Sequence, residues 1–291
     1  MTRDGGRGHR VFRWINAVIL TGVVVVTLYP FANIIARSLS EERYIVTGQV
    51  NLVPRGFNLT TYKIVVSDPM FWANYRNTVV YTVVATAIAM VLTTCYAYVL
   101  AKKHLKGRKV LIWLAVFTMI FTGGLIPQYV LINSLGLTNT LWAVVLPNAI
   151  SVFNLLIMKT FFENLPVELE EAAAIDGLNT YGILWRIVLP LSKAVIATMV
   201  LFYAVSFWNS WFTAFLYLHE QELFPVTIYL RNLIAGATGA ESAGAGLADV
   251  TQAASNIQSV TIMLTVLPIL AVYPFVQRYF VSGVMLGAVK G

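Results

Sequence analysis

The sequence predicts an all-α, polytopic membrane protein with six transmembrane helices, and three observations carry that prediction. Of 291 residues, 58% are hydrophobic and only 11% are charged, whereas soluble domains are roughly half apolar and a quarter charged. Six apolar runs are long enough to cross a hydrocarbon core, which takes about 20 residues at ~1.5 Å each. Lys and Arg gather at or near the ends of those runs, mostly on one side.

The first run, 14–36, follows Arg3, Arg7, Arg10 and Arg13. It is longer than a signal-peptide core and no small-x-small cleavage site follows it, so it reads as a retained helix. The others are 77–101, 110–131, 141–161, 194–218 and 257–276. Lys102, Lys103, Lys106, Arg108, Lys109, Lys159, Arg186, Lys193, Arg278 and Lys290 fall on the same side as the amino terminus, while the other side keeps Arg37, Arg43, Arg55, Lys63, Arg76 and Arg231. The positive-inside rule then puts both termini in the cytoplasm, as an even span count requires. Residues 1–13 form a cytoplasmic amino terminus. Residues 14–291 form one transmembrane domain with a cytoplasmic loop at 163–192, an outer loop at 219–256 and a cytoplasmic tail at 277–291.

Composition also excludes several functions. The net charge of +7 comes from residues at helix ends, where they fix topology and meet anionic headgroups, so nucleic acid is not an expected partner. Cys95 is the only cysteine, and His9, His104 and His219 share no ligand spacing, so neither a disulfide framework nor a metal site is expected. No G-x-x-x-x-G-K-[ST] phosphate loop occurs, and Gly244-Ala-Gly246 lacks the third glycine of a dinucleotide motif. Nucleotide chemistry must therefore come from another polypeptide. The interiors of the six runs carry no charge, which disfavours a proton-coupled transporter; a sodium site of backbone carbonyls would leave no such trace.

Uncharged polar residues do occur in the runs: Gln128, Asn148, Ser151, Asn154, Ser206, Asn209 and Ser210. Such residues either tie helices together or face a watery path. In the fifth run Tyr203, Phe207, Trp211 and Phe215 recur every four residues, an aromatic stripe on one helical face. It reads as packing or, beside Trp208, Asn209 and Ser210, as a sugar-compatible lining. The candidate path is therefore Gln128, Asn154, Tyr203, Phe207, Trp208, Asn209 and Trp211. Gly123, Gly124, Pro127, Pro147, Pro268 and Pro274 interrupt the third, fourth and sixth runs, either kinking helices around a cavity or marking packing irregularity.

Between the fourth and fifth runs, 163–192 is too polar for lipid yet patterned for helix. Pro166 suits a first helical turn; Glu168, Glu170 and Glu171 complement its positive end, and Gly177 suits its termination. Asn179 or Thr180 can cap a second helix that runs to Pro190. Ala172, Ala173 and Ala174 give the first helix a face without bulk, flanked by Glu171 and Asp176. Such a face suits docking into a partner's groove with an ion pair setting register; an amphipathic connector on the membrane surface fits as well.

The order Glu171-Ala172-Ala173, three residues, Gly177, nine residues, then Ile187-x-Leu189-Pro190 resembles the complete EAA signature of binding-protein-dependent ABC importers. Phe207-Trp208-Asn209, the Gly136-Leu137 turn, and the tail segments beginning at Arg278 and Gly287 are similar to carbohydrate permeases of the smaller maltose-permease-subunit type. FTGGLIPQYVLINSLGL and LFYAVSFWNSWFTAFLYL resemble a branch handling complex oligosaccharides, including plant-polysaccharide fragments. The resemblance covers nearly the whole chain.

That resemblance implies the type I ABC importer permease fold in a bacterial cytoplasmic membrane. It implies a second, different permease chain, two copies of an ATPase, and an extracytoplasmic binding protein that delivers a sugar or oligosaccharide. The coupling residues would be Glu168, Glu171, Ala172, Ala173, Asp176, Gly177, Leu189 and Pro190, with Lys290 and Gly291 reaching the ATPase dimer interface. The outer loop, whose 235–248 stretch is rich in Gly, Ala and Ser and flexible by composition, would probe the binding protein; a disordered stretch without function fits as well. No residue is expected to be catalytic and no cofactor is expected on this chain, since ATP and its magnesium ion belong to the ATPase. The rivals are an ion-coupled secondary transporter and a membrane-embedded glycosyl or lipid transferase.

Overall fold

A computed structural model describes residues 7–242, 256–271 and 274. Among the described residues the regular secondary structure is helical, apart from one isolated antiparallel bridge between Ser40 and Phe57. In chain order the helices are α1 (Arg7–Ser38), α2 (Glu42–Val46), α3 (Thr60–Ser67), α4 (Pro69–Ala101), α5 (Arg108–Ile120), α6 (Leu125–Ser134) and α7 (Leu141–Val145). They continue as α8 (Val152–Glu163), α9 (Val167–Ile175), α10 (Thr180–Ile183), α11 (Leu189–Leu191), α12 (Lys193–Trp208), α13 (Phe212–Tyr217), α14 (Val226–Ser242) and α15 (Asn256–Ala271).

Two of the six apolar runs form continuous helices of spanning length, within α1 and α4. The third and fourth runs are broken, the fifth is divided between α12 and α13, and the chain bends sharply just before it. α5 and α6 meet at 109°, α7 with its 3-10 extension Leu146–Asn148 meets α8 at 52°, and the Thr180–Leu191 stretch meets α12 at 85°. Between α5 and α6 the turn uses Gly124 at φ 85, ψ 168, a region essentially confined to glycine. Pro147 in the 3-10 turn cannot donate to a continuing α-helix. The sixth run is described over the 16 residues of α15, and Pro268 lies within that helix.

The chain divides into two compact units. One comprises the described residues up to Pro69 and those of Leu230–Val266. Here α1 is apolar on every side and exposed from Val11 to Phe31, the composition of a helix solvated by lipid or by another chain. At its end Ala36 packs with Ile45 and Val50. Ser40 ties the following loop together: its hydroxyl accepts from the Arg55 N–H at 3.0 Å, and its carbonyl accepts from the Asn256 amide at 3.2 Å.

The other unit comprises Met70–Tyr229 and the described residues from Leu267. Its spine is α4, whose Thr78, Thr82, Ala85, Ala89, Thr93 and Ala97 are buried along one face. Small side chains let helices approach closely where lipid offers no hydrophobic drive for association. Ala85 and Ala89 accordingly pack with Val145 of α7 and with Tyr203 and Phe207 of α12. A second cluster joins Ala97, Tyr98 and Leu100 of α4 to Leu155, Met158 and Phe162 of α8 and Val195 and Met199 of α12. It also takes in Ala173 of α9 and Ile183, Leu184 and Val188 beyond it, so the polar loop is anchored on the helical core.

Candidate coupling segment and polar cavity

The 163–192 segment folds from local signals in its own sequence. α9 starts after Pro166, which stands at the N-cap one residue before the first turn. It ends in a Schellman turn: the Leu178 N–H donates to the Ala173 carbonyl at 3.0 Å and the Gly177 N–H to the Ala174 carbonyl at 3.1 Å. Gly177 takes φ +84, the left-handed conformation that L side chains disfavour. Asn179 then caps α10, its side-chain oxygen accepting the Gly182 N–H at 2.8 Å. The second helix does not run evenly to Pro190. It widens into a π turn over Leu184–Val188 before α11, because Pro190 has no N–H and its ring crowds the Arg186 carbonyl one turn earlier.

Ion pairs join this segment to the ends of the long helices. Glu170 of α9 pairs with Lys102, just beyond α4, and Glu163 at the end of α8 pairs with Arg108 at the start of α5. Glu163 also accepts from Lys159 at 2.8 Å, and Arg108 donates to the Leu100 carbonyl at 2.7 Å. Burial lowers the Lys102 ammonium below its ordinary value of 10.5, while the Glu170 carboxylate and the Tyr98 ring face, 4.1 Å away, favour the charged form. Glu171 lies at the rim of a cleft of about 450 Å³ that Lys102, Lys103, His104 and Glu170 also line.

The three alanines do not share one outer face. Ala173 is 5% exposed and packs into the core cluster, since adjacent helical positions point about 100° apart; its small side chain brings α9 close to its own protein. Ala172, like Glu168, Glu171 and Asp176, is exposed. Leu189 packs against the core cluster and Pro190 is exposed. Sequence reasoning missed the large apolar residues on the outside: Ile175 is 86% exposed, with Tyr181 and Trp185 also open. Lys290 and Gly291 lie outside the described residues.

A second feature lies at the break between α7 and α8. A cavity of about 400 Å³ is lined by Asn148, Ser151, Asn154, Tyr203, Ser206 and Phe207, together with Pro147, Ile150 and Phe202. Of the candidate path residues it gathers Asn154, Tyr203 and Phe207. Tyr203 is a structural tie as well: its buried hydroxyl accepts the Ser151 N–H at 2.9 Å and bonds Thr93 Oγ1 at 2.6 Å.

The other candidates lie elsewhere. Gln128 is exposed on α6. Trp208 is buried edge-on against Tyr75, with ring centroids 5.8 Å apart, and lines a separate apolar pocket with Thr82 and Pro268. Asn209 turns its amide back to the Val205 carbonyl at 2.8 Å, and α12 ends there. The aromatic stripe is therefore not continuous: Tyr203 and Phe207 are buried and stacked on α12, while Trp211 and Phe215 are exposed beyond the break.

The start of the 219–256 segment is ordered by α4 and by a turn that composition did not reveal. Asn77 donates to the Glu222 carbonyl at 2.6 Å, Tyr81 to the Leu223 carbonyl at 2.7 Å, and Thr78 accepts the Val226 N–H at 2.8 Å. Asn139, at φ 61 beyond Gly136, accepts the N–H groups of His219 and Glu220 and donates to the Glu220 carboxylate at 2.6 Å. Part of the 235–248 stretch is helical, within α14; residues 243–255 lie outside the described residues.

Broken apolar helices around a polar cavity, with a polar helical segment fastened to their ends, have the architecture of a membrane permease. The chain belongs to the permease components of ABC importers for sugars and oligosaccharides. Protein LplC of Bacillus subtilis (strain 168) is 43% identical to it over 290 residues, covering 100% of this chain and 98% of the relative. The polygalacturonan/rhamnogalacturonan transport system permease protein YtcP of the same organism is 39% identical over 287 residues, covering 97% and 99%. A chain of a bacterial ABC transporter involved in the import of the acidic polysaccharide alginate matches the fold with a TM-score of 0.87 at 33% identity, covering 96% of this chain and 100% of that one. No protein-family model matches the chain.

Proposed function

We propose that this chain is one of two different permease chains of an ATP-driven importer and crosses the bacterial cytoplasmic membrane six times. In this reading both termini and the 163–192 segment are cytoplasmic, and the segment carries ATPase movement into the transmembrane helices. The observation that carries the proposal is the two-sidedness of α9 and its glycine turn. On the inner side Ala173 and Leu178 pack into the helical core. On the outer side Ile175, Tyr181 and Trp185 stand exposed near Glu171 and Asp176. Large apolar side chains exposed in an otherwise polar segment mark a protein interface, and the acidic rim supplies the ion pair that orients it.

Further partners follow from the family. Two ATPase copies bind ATP and magnesium, the 277–291 tail with Lys290 and Gly291 reaches their interface, and an extracytoplasmic binding protein docks on the 219–256 side. The substrate is an oligosaccharide bearing acidic sugar residues; the names of YtcP and of the alginate transporter support that class. Alternating access performs the transport, nucleotide-driven closure selecting one of two helix arrangements. Within the candidate path, Asn154 and Phe207 face the solute, whereas Trp208 serves packing. The test is co-purification. A tagged chain should bring down an ATPase that carries a phosphate loop, and Glu171→Lys should weaken that capture while membrane levels hold. Undiminished capture by Glu171→Lys would remove this residue from the interface.

A further inference from the structure

At the break between α7 and α8 the first turn of α8 opens on the polar cavity: Ser151 is its N-cap, Asn154 stands three residues on, and both line the space. α8 has 12 residues, so its N-terminus presents backbone N–H groups without helical partners and the positive end of the helix dipole. Independently, Asn154 is 5% exposed and lines the cavity, and among the described residues its side-chain amide has no protein hydrogen-bond partner. An amide that the protein itself leaves without a partner bonds whatever occupies the cavity, water or a solute. Across the cavity Ser206 of α12 adds a hydroxyl. No carboxylate and no cationic side chain line the space.

We propose that this cavity is a transit site for the carboxylate of an acidic sugar residue. The α8 terminus attracts the charge, as half-helices within membranes do for anionic substrates. The Asn154 amide donates to a carboxylate oxygen, and the Ser206 hydroxyl takes up a neighbouring sugar hydroxyl. A cradle of partial charges without Lys or Arg suits passage, because a site on a transport path must also let go. The proposal rests on the acidic-oligosaccharide reading above.

The test compares Asn154→Asp with Asn154→Leu in the whole importer, reconstituted in proteoliposomes with its binding protein and supplied with trigalacturonate. The two substitutions are similar in size and both remove the amide donor, but only aspartate adds a negative charge. Transport by Asn154→Asp should fall at least tenfold below that of Asn154→Leu, with equal yields of assembled complex. Equal transport by the two variants would overturn the site. If Asn154→Asp fails to assemble, Ser206→Asp against Ser206→Ala makes the same comparison from the opposite wall. A wild-type importer that moves neutral oligosaccharides but ignores trigalacturonate would instead overturn the substrate class.

Discussion

At Gly177 the backbone, not the available space, sets the cost of a substitution. A Cβ built there meets nothing within 4 Å, yet φ is +84. A Cβ therefore clashes with no neighbour, and the cost is that of the left-handed conformation, roughly 1–2 kcal/mol for an ordinary L residue. That corresponds to about a 5- to 30-fold loss in the population of the native turn. Valine is a genuine outlier there, whereas asparagine visits the region readily. Gly177 itself is exposed and a Cβ there meets nothing of the helical core, so the loss should appear in coupling before it appears in folding. Purified complexes should rank wild type, Gly177→Asn, Gly177→Ala and Gly177→Val in falling order of ATPase stimulation by sugar-loaded binding protein, with similar yields. Wild-type stimulation by Gly177→Val would refute the argument, and so would equal losses in the asparagine and valine variants.

Three further outcomes are expected. Glu171→Ala removes one partner of the proposed interfacial pair, a truncation worth about 2–5 kcal/mol when such a pair is buried; stimulated ATPase activity should fall at unchanged membrane levels, measured on the purified complex. Tyr203→Phe leaves the Ser151 N–H and Thr93 without their shared hydroxyl, and an unsatisfied buried group costs about 1–3 kcal/mol, so the thermal midpoint of the complex should drop. The isolated chain, which has no phosphate loop, should bind no ATP in equilibrium dialysis at micromolar nucleotide.

What could be read from the sequence was local. Gly177 and Asn179 announce a helix stop and a helix start by residue type alone, and both appear with the expected geometry. Gly123, Gly124 and Pro147 likewise mark two of the three sharp bends, and Pro190 stands beside the third. The end of α12 carries no glycine or proline; it comes at Asn209, whose amide competes for the Val205 carbonyl that its own N–H also uses. That break splits an aromatic stripe which a continuous helix would have kept whole. The pairs Lys102–Glu170 and Arg108–Glu163 join positions 68 and 55 residues apart, a separation beyond the reach of any periodicity. Ala173 was legible as small but not as buried, because its neighbours come from α4, α8 and the π turn.

If this chain is a permease component of an ATP-driven sugar importer, transport through it requires both ATP and the binding protein. That requirement is tested most directly by uptake of labelled trigalacturonate into proteoliposomes containing the full complex, with ATP and the binding protein supplied or withheld. Uptake should occur only when both are present and should be unaffected by dissipating proton and sodium gradients. Uptake without ATP that collapses with an ion gradient would contradict the requirement and identify an ion-coupled transporter instead.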